Sequence, residues 1–367
     1  MLARYRKIEH PLGALIDLPK LVPAFSSKGF PFLETYKAKT GIKGKRTLRS
    51  KLGKKKKAVE KPQISETTLA LESVGTFIKD SILLSAYDIH HRHFRRPGRF
   101  YEGKELIFID SGAYELSPDY DRTEPIHWSG NAKPFTGKDY LEVLNSLPQD
   151  LPFAISNYDW DDRGKPLSQQ IIQAQRLFNK FPHFAKNFIV KPVGKQRHVD
   201  VNDLIHQVKK CRAFDILGIT EKELGEDLIE KLGNLAKLRL AMDREGVAIP
   251  IHVWGGLDPV LTPLYFFAGA EIFDGISWLR YAYIDGVAVC RDSYNILVEG
   301  IECPLDHSRG LALHHNLKFL RELATSFRDF VLHKGTKLDM FGSRSAEVER
   351  AYRVLVTRIP EVEGGGE

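Results

Sequence analysis

Acidic residues recur in this sequence where short apolar segments end. Asp110 follows LIFI, Asp159 follows PFAISNY, and Asp274 follows AEIF. A single Asp in such a position is most often a helix cap or a turn former. Three of them permit chemistry, because one carboxylate can stay ionised as a nucleophile while another carries a proton as an acid or base. That division suits displacement at the anomeric carbon of a sugar, where a carboxylate can form a covalent glycosyl intermediate.

The segments that would position these acids read as strands that alternate with helices. Strands that are apolar on both faces are typical of a parallel sheet covered by helices. The alternation predicts a closed barrel or a doubly wound sheet, and the first strand lacks the G-x-G-x-x-G of dinucleotide-binding sheets. We therefore expect an α/β fold of the (β/α)8 TIM type, with function at the C-terminal strand ends. The predicted strands are 21–25, 82–87, 106–110, 152–156, 187–192, 214–219, 249–254 and 270–276, and the predicted helices are 166–181, 201–211, 226–245, 258–269 and 310–332.

The expected organisation is a single domain over residues 1–335. A basic, flexible insert occupies 36–62, after the first strand, and a helical subregion occupies 285–332. Within it, Leu317, Leu320, Leu323 and Phe327 follow one side of a helix. Residues 336–367 form an extension whose Gly- and Glu-rich end predicts a disordered tail.

The composition limits the class of protein. The net charge is +7, 43% of residues are hydrophobic, and no segment has the ~20 apolar residues of a membrane helix. Three cysteines do not make a disulfide framework, and the N-terminal residues lack the apolar core of a signal peptide. We expect a cytoplasmic protein without a membrane partner.

The positive charge is concentrated in two places. Eleven Lys and Arg residues and no acid lie between Lys37 and Lys57, and a second cluster of His and Arg spans 90–99. Such runs repel each other unless a polyanion neutralises them, which favours phosphate-backbone contact over a solvated loop. The candidate nucleic-acid contacts are Lys54, Lys55, Lys56, Lys57, Arg92, Arg95, Arg96 and Arg280.

Several motifs carry a family resemblance. LIFIDSGAYEL resembles the DSGGFQ motif of the tRNA-guanine transglycosylases, and LLSAYDIHHRHFRRPG resembles that family's N-T-Y-H-L…RPG strand and loop. SNYDWDD, FIVKPVG, HVWGG through SWLR, and HHNLKFLREL are similar to its later motifs, in the family's order. The ordered set, from about residue 20 to about 332, is more specific than any single motif. The basic insert and the lack of the long C-terminal extension of the archaeal tRNA enzymes make the chain most similar to the DNA-modifying (DpdA-type) 7-deazaguanine transglycosylases.

The resemblance implies a role for each acid. Asp274 would be the nucleophile at C1′ of the sugar, Asp110 the general acid and base, and Asp159 a hydrogen-bond acceptor for the purine-like edge. One departure is that Lys191-Pro192 replaces the family's Gln-Gly in a base-contacting loop, so base selection can differ. The other residues placed at the base by the resemblance are Ser111, Gly112, Tyr114, Lys191, Gly218, Gly255 and Gly256.

The second departure from the family concerns its metal site. The family's structural zinc is held by Cys-x-Cys-x-x-Cys and a distant His, and this chain has no such triplet. Cys290, Cys303, His307 and His315 remain as candidate zinc ligands, since structural zinc takes four sulfur or imidazole ligands. Scattered Cys and His residues without a metal are an equally good interpretation.

The resulting hypothesis is a base-exchanging pentosyltransferase that replaces guanine in DNA by a preQ0-like 7-deazaguanine through a covalent aspartyl-glycosyl intermediate. Its partners would be DNA, the free base, and a second copy or other modification proteins. One alternative is the same exchange on tRNA, and another is an N-glycoside hydrolase that releases a base without replacing it. A non-catalytic nucleic-acid-binding paralogue is the third, and the retention of Asp110 and Asp274 argues against it.

Overall fold

Eight parallel strands close into a barrel in the computed structural model of the chain, which describes residues 1–33, 64–117 and 132–364. Each barrel strand pairs with the next one along the chain, and β8 pairs with β1 to close the ring. The predicted TIM-type barrel is therefore confirmed. Its strands are β1 (Lys20–Phe25), β2 (Ser81–Ser85), β3 (Leu106–Asp110), β4 (Phe153–Ser156), β5 (Ala185–Val190), β6 (Ile216–Thr220), β7 (Ile251–Trp254) and β8 (Ile272–Gly275).

Helices cover the outside of this barrel. The predicted helices all appear, although the second of them breaks after His206 into a 3-10 turn. The helices are α1 (Thr67–Val74), α2 (Ala86–His90), α3 (Ala113–Leu116), α4 (Gly137–Ser146), α5 (Leu167–Phe178), α6 (Val201–His206), α7 (Leu228–Arg244), α8 (Leu261–Phe267), α9 (Ser277–Arg280), α10 (Leu305–Leu332), α11 (Ser345–Arg358) and α12 (Glu361–Gly364). Tighter 3-10 turns lie at Pro97–Phe100, Val208–Ala213, Glu221–Glu223, Arg291–Ser293 and Asp339–Arg344, and a π turn at Asn295–Glu299.

Three small antiparallel hairpins accompany the barrel: Arg6–Glu9 with Leu15–Leu18, Phe32–Leu33 with Ile64–Ser65, and Tyr281–Ile284 with Val287–Cys290. The first packs Ile16 and Leu18 into the same apolar cluster as the inward-facing strand residues. His10, in the turn of this hairpin, bonds through Nε2 to the carbonyl of Phe153 at the start of β4, at 2.9 Å. This hairpin therefore covers the N-terminal end of the barrel and leaves the C-terminal end for a site.

Helix α10 anchors the C-terminal part of the chain. Leu317, Leu320, Leu323 and Phe327 are all buried, as their spacing predicts, and the helix begins at Leu305, directly after Pro304. Asn316 on this helix is fully buried and makes three hydrogen bonds of 2.7 Å to the backbone of residues 278–283. The helix thus fixes the hairpin that follows β8.

Two expectations differ from the structure. The second predicted strand, 82–87, ends at Ser85, and Ala86 already begins α2. The C-terminal tail, predicted to be disordered from its composition, forms α12 as far as Gly364, with Val362 fully buried and its carbonyl 2.9 Å from the Leu2 amide. Burial of Val362 and its backbone hydrogen bond stabilise a helix in a segment whose polar composition predicts disorder. Among the described helices, none is long and apolar enough to span a bilayer.

Candidate active site

The three predicted carboxylates lie at the C-terminal end of the barrel. Asp110 is the last residue of β3, Asp274 is the third residue of β8, and Asp159 follows β4. Their exposed fractions are 9%, 6% and 3% respectively. Carboxylates this buried need partners or a changed protonation state, because removing a charge from water is costly. The partners differ among the three acids, and so does the chemistry available to each.

Asp110 lies among other acids. Burial raises the pKa of Asp110 well above its ordinary value, and the negative charges of Glu115, Asp159 and Asp274 raise it further. The amide of Gly112 donates to Asp110 Oδ2 at 3.3 Å, which lowers the pKa less than these effects raise it. A raised pKa favours the protonated form of Asp110, which is the form that a general acid uses.

Asp159 has a cation beside it. Lys191 Nζ lies 2.9 Å from Asp159 Oδ2 and 3.1 Å from Glu223 Oε2. It also donates to Thr220 Oγ1 at 3.1 Å, so its three N–H bonds are all used within the protein. Burial alone would lower the pKa of Lys191, but the two carboxylates raise it above its ordinary value. The ammonium group balances the charge of Asp159.

The hydroxyl of Ser111 donates to the other oxygen of Asp159. Ser111 and Lys191, which were both predicted to lie near the base, therefore both contact Asp159. The ammonium group of Lys191 contacts the carboxylates of Asp159 and Glu223 and does not face an open pocket. The carboxylate oxygens of Asp159 each keep a lone pair for further donors.

Asp274 is held by neutral groups. The amide of Gly255 donates to Asp274 Oδ1 at 3.1 Å, and the ring Nε2 of His252 lies 2.9 Å from the same oxygen. Burial lowers the pKa of His252 although the Asp274 charge opposes this, so the ring is neutral and its Nε2–H is the donor. Both of these contacts reach the same oxygen of the carboxylate, Oδ1.

A second acidic cluster adjoins Asp110. Glu115 on α3 accepts a hydrogen bond from Ser26 Oγ, and burial together with the charge of Asp88 raises the pKa of Glu115 to about 7. Asp88 is fully buried, accepts from the Ser27 amide at 2.7 Å, and lies 2.8 Å from the ring of His93. Glu115 stands in the LIFIDSGAYEL segment, where its position five residues after Asp110 is the signal that could have identified it.

His252 and Asn187 were also missed from the sequence. Both are polar residues in segments read as buried strands, which is the signal that could have drawn attention to them. Asn187 Nδ2 lies 2.9 Å from His252 Nδ1, and both residues are fully buried. Among the residues that the structure describes, Asn187 Oδ1 and Trp254 Nε1 find no hydrogen-bond partner, which is unusual for buried polar atoms and typical of the surroundings of a ligand or water.

The surroundings of the predicted glycines differ, and so does what a side chain at each position would contact. Gly112 has a φ of +86°, and a Cβ there would lie 2.7 Å from the Cβ of Tyr87. At Gly218, a Cβ would lie 2.5 Å from Trp254 Nε1, so this glycine makes room for the indole ring. Gly255 is exposed and presents its amide to Asp274, whereas a Cβ at Gly256 would meet Val253 Cγ1 at 2.7 Å.

Tyr114 and Arg280 meet at the rim of the site. Arg280 Nη2 donates to the Tyr114 hydroxyl at 3.3 Å and to the carbonyl of Lys28 at 3.0 Å. The Lys28 ammonium lies 4.3 Å from the centre of the Tyr114 ring and donates to the Tyr114 carbonyl at 2.6 Å. The rim is therefore cationic, and its aromatic ring is only partly covered.

The other predicted nucleic-acid contacts are on the loop after β2 or outside the described residues. Arg92, Arg95 and Arg96 are exposed, whereas Lys54 to Lys57 lie in the part of the chain that the structure does not describe. His93, in the same basic cluster, is buried against Asp88 and does not face solvent. The three predicted arginines of this cluster, and Arg99 beside them, are thus at the surface.

The predicted zinc ligands are not brought together. Cys290 ends the hairpin after β8, Cys303 lies before α10, and His307 and His315 are eight residues apart on α10. His315 instead contacts the ring of Tyr294, with 5.8 Å between ring centres. Within the described ranges, the ligand atoms near enough to share an ion belong to His90, Asp139 and Glu142, and Asp139 already caps α4 through Thr136.

Comparison of the chain with the sequence profiles of known protein families and with curated proteins finds no match. Interpretation of the site therefore depends on its own geometry and on the ordered motifs.

Proposed function

We propose that this chain is a base-exchanging pentosyltransferase that replaces guanine in DNA by a 7-deazaguanine base. The observation that supports this most strongly is the contrast between two acids at one end of the barrel. Burial and neighbouring acids raise the pKa of Asp110, whereas Asp274 accepts hydrogen bonds from the His252 ring and the Gly255 amide through one oxygen. Paired acids of this kind act as proton donor and nucleophile in displacement at an anomeric carbon.

The first half of the reaction breaks the bond from the sugar C1′ to guanine. The Asp274 carboxylate forms a bond to C1′ as the C1′–N bond breaks, and the bonding electrons leave with the base. Asp110 gives its proton to the departing guanine and becomes a carboxylate. The products are free guanine and a covalent Asp274–sugar ester.

The second half reverses these steps with a different base. The ring N–H of the incoming 7-deazaguanine gives its proton to Asp110 as the nitrogen bonds to C1′. The Asp274–C1′ bond breaks, which restores both acids to their starting states. Because the acid regains its proton in every cycle, no other acid or base has to enter.

Asp159 would recognise the purine-like edge of the base. A guanine-type base presents a ring N–H and an amino group side by side, and a carboxylate accepts from both. Lys191 and Ser111 hold Asp159 in place and leave it lone pairs for these donors. Base recognition would thus depend on Asp159, whose charge is balanced by the ammonium group of Lys191.

The surface charge favours a polyanionic substrate. Arg92, Arg95 and Arg96 are exposed on a loop that follows β2, and Arg280, which is partly exposed, lies beside Tyr114. A base in a duplex must be flipped out before the acids can reach its sugar, and cationic loops stabilise the opened strand. Together with the resemblance of the motifs to the DNA-modifying enzymes, this supports DNA over tRNA.

The test is to offer the purified protein isotope-labelled 7-deazaguanine with duplex DNA, single-stranded DNA and tRNA in parallel. Mass spectrometry of the digested nucleosides identifies which polymer gains the label. We expect label in DNA, and a protein–DNA adduct that survives denaturation when no acceptor base is supplied. Asp274→Asn should abolish both, whereas Asp161→Asn, an exposed acid two residues from Asp159, should abolish neither.

Each other outcome identifies a specific error. Label in tRNA alone would mean that the polymer is wrong. Free guanine without incorporation would indicate a hydrolase. No adduct, no label and no released base with any polymer would refute the catalytic proposal.

A further inference from the structure

Two polar side chains lie inside the barrel, one layer below Asp274. His252 on β7 pairs in register with Ile272, which precedes Asp274 by two residues on β8. The His252 ring also meets Phe108 of β3, on the opposite side of the barrel, at 5.3 Å between ring centres. Apolar branched side chains usually fill such a layer, as Ile189 and Ile216 do here.

Burying polar groups in this layer is costly unless they are hydrogen-bonded. His252 has both ring nitrogens engaged, with Asn187 Nδ2 at 2.9 Å on one side and Asp274 Oδ1 at 2.9 Å on the other. The ring of Trp254 stacks on it at 4.3 Å, which prevents rotation of the imidazole. The chain of contacts therefore runs from β5 through β7 to the acid on β8.

This arrangement distinguishes the two oxygens of Asp274. Oδ1 accepts from His252 and from the Gly255 amide, whereas no partner of Oδ2 is found among the described residues. A carboxylate that is held by one oxygen presents the other in a fixed direction. Since the imidazole is neutral, it orients the acid without cancelling its charge.

We propose that His252, itself held by Asn187, is a positioning residue that fixes Oδ1 of Asp274 and leaves Oδ2 as the attacking atom. This inference rests on the proposed base exchange, in which Asp274 is the nucleophile. It goes beyond that proposal because it names the atom that attacks and the two side chains that select it. His252 would orient Asp274 as the third residue of a catalytic triad orients its histidine, through a hydrogen bond.

The kinetic test compares two substitutions. His252→Phe keeps a ring of similar size but loses the N–H donor, and His252→Gln keeps an N–H donor but loses the ring. We expect His252→Phe to slow formation of the protein–DNA adduct on the order of 10- to 100-fold, the value of a hydrogen bond to a charged group, with an unchanged KM for DNA. His252→Gln should recover part of that loss. Equal wild-type rates in both variants would overturn the inference.

A second measurement does not require catalysis. Nitrogen-15 NMR of the histidine rings should show a neutral His252 with the proton on Nε2, identified by the signal that His252→Phe removes. Asp274→Asn should shift that signal, and Asp161→Asn should not. An unshifted signal in Asp274→Asn would refute the contact itself.

The two measurements separate failure of the inference from failure of the proposed function. Loss of base exchange in every polymer, with the NMR contact intact, would refute the function alone. A confirmed contact with a fully active His252→Phe would refute the positioning role alone. If His252→Phe does not fold, Asn187→Ala takes its place, because it frees the ring while keeping the donor, and a wild-type adduct rate would then overturn the role of Asn187.

Discussion

Replacing Glu115 by Gln should make the protein more stable at alkaline pH. Glu115 is 2% exposed, and burial with the nearby Asp88 raises its pKa from the ordinary 4.5 to about 7. A raised pKa means that folding favours the protonated acid, so the folded state binds the proton that the unfolded state has released. At 1.36 kcal/mol for each pKa unit, the folded state loses ~3 kcal/mol through this group as the pH rises from 4.5 to about 7.

Glu115→Gln removes that penalty and keeps an oxygen to accept from Ser26. Urea unfolding of both proteins at pH 5 and pH 8 measures the effect, because the free energy of unfolding follows from the midpoint and slope. We expect the variant to gain about 3 kcal/mol at pH 8 and under ~1 kcal/mol at pH 5. The neutral amide also removes a charge that raises the pKa of Asp110, and this acts in the same direction.

Glu102→Gln is the matched control, because Glu102 is an exposed acid of the same type. It should leave the difference between pH 5 and pH 8 unchanged. Glu115→Gln with the wild-type pH dependence, or with a loss of stability at pH 8, would refute the view that Glu115 is a buried acid among like charges.

Three further substitutions test the surroundings of the site. Lys191→Met should cost about 3–5 kcal/mol at pH 8, and less at pH 5, because it removes the cation nearest to two buried carboxylates; urea unfolding at the two pH values measures this. Asn316→Ala should cost about 3 kcal/mol in the same assay, since three backbone groups lose their partner. Gly218→Ala should displace the indole of Trp254, which a Cβ would approach to 2.5 Å, and tryptophan fluorescence should shift accordingly.

The sequence predicts the barrel well because each strand is a continuous apolar segment. All eight strands begin and end within two residues of their expected positions, and the segment ending at Asp110 matches at both ends. Tyr87 shows how the pattern can mislead. Its apolar ring places it in the predicted strand 82–87, but in the structure it belongs to α2. Apolar character shows that a residue is buried but does not show which element buries it.

The partners of the site residues could not be predicted in the same way. Ser26 meets Glu115 across 89 positions of sequence, and Asn187 meets His252 across 65. Such pairs depend on which face of a strand each residue occupies, and a strand that is apolar on both faces gives no alternation from which to read it. The candidate zinc ligands are not grouped among the described residues for a related reason, since spacing along the chain does not establish closeness in the fold.

The surroundings of the three carboxylates explain how similar residues can take different roles. Asp159 has an ammonium group, Asp274 has neutral N–H donors, and Asp110 has other acids beside it. A nearby cation balances the charge of a carboxylate and leaves its oxygens able to accept hydrogen bonds. Neutral donors orient a carboxylate without balancing its charge, and nearby acids raise its pKa. The residue type alone would permit any assignment of nucleophile and acid. Because burial and like charge raise the pKa of Asp110, Asp110 is the best candidate for the proton donor of the proposed reaction, and Asp274, oriented through one oxygen, is the best candidate for the nucleophile.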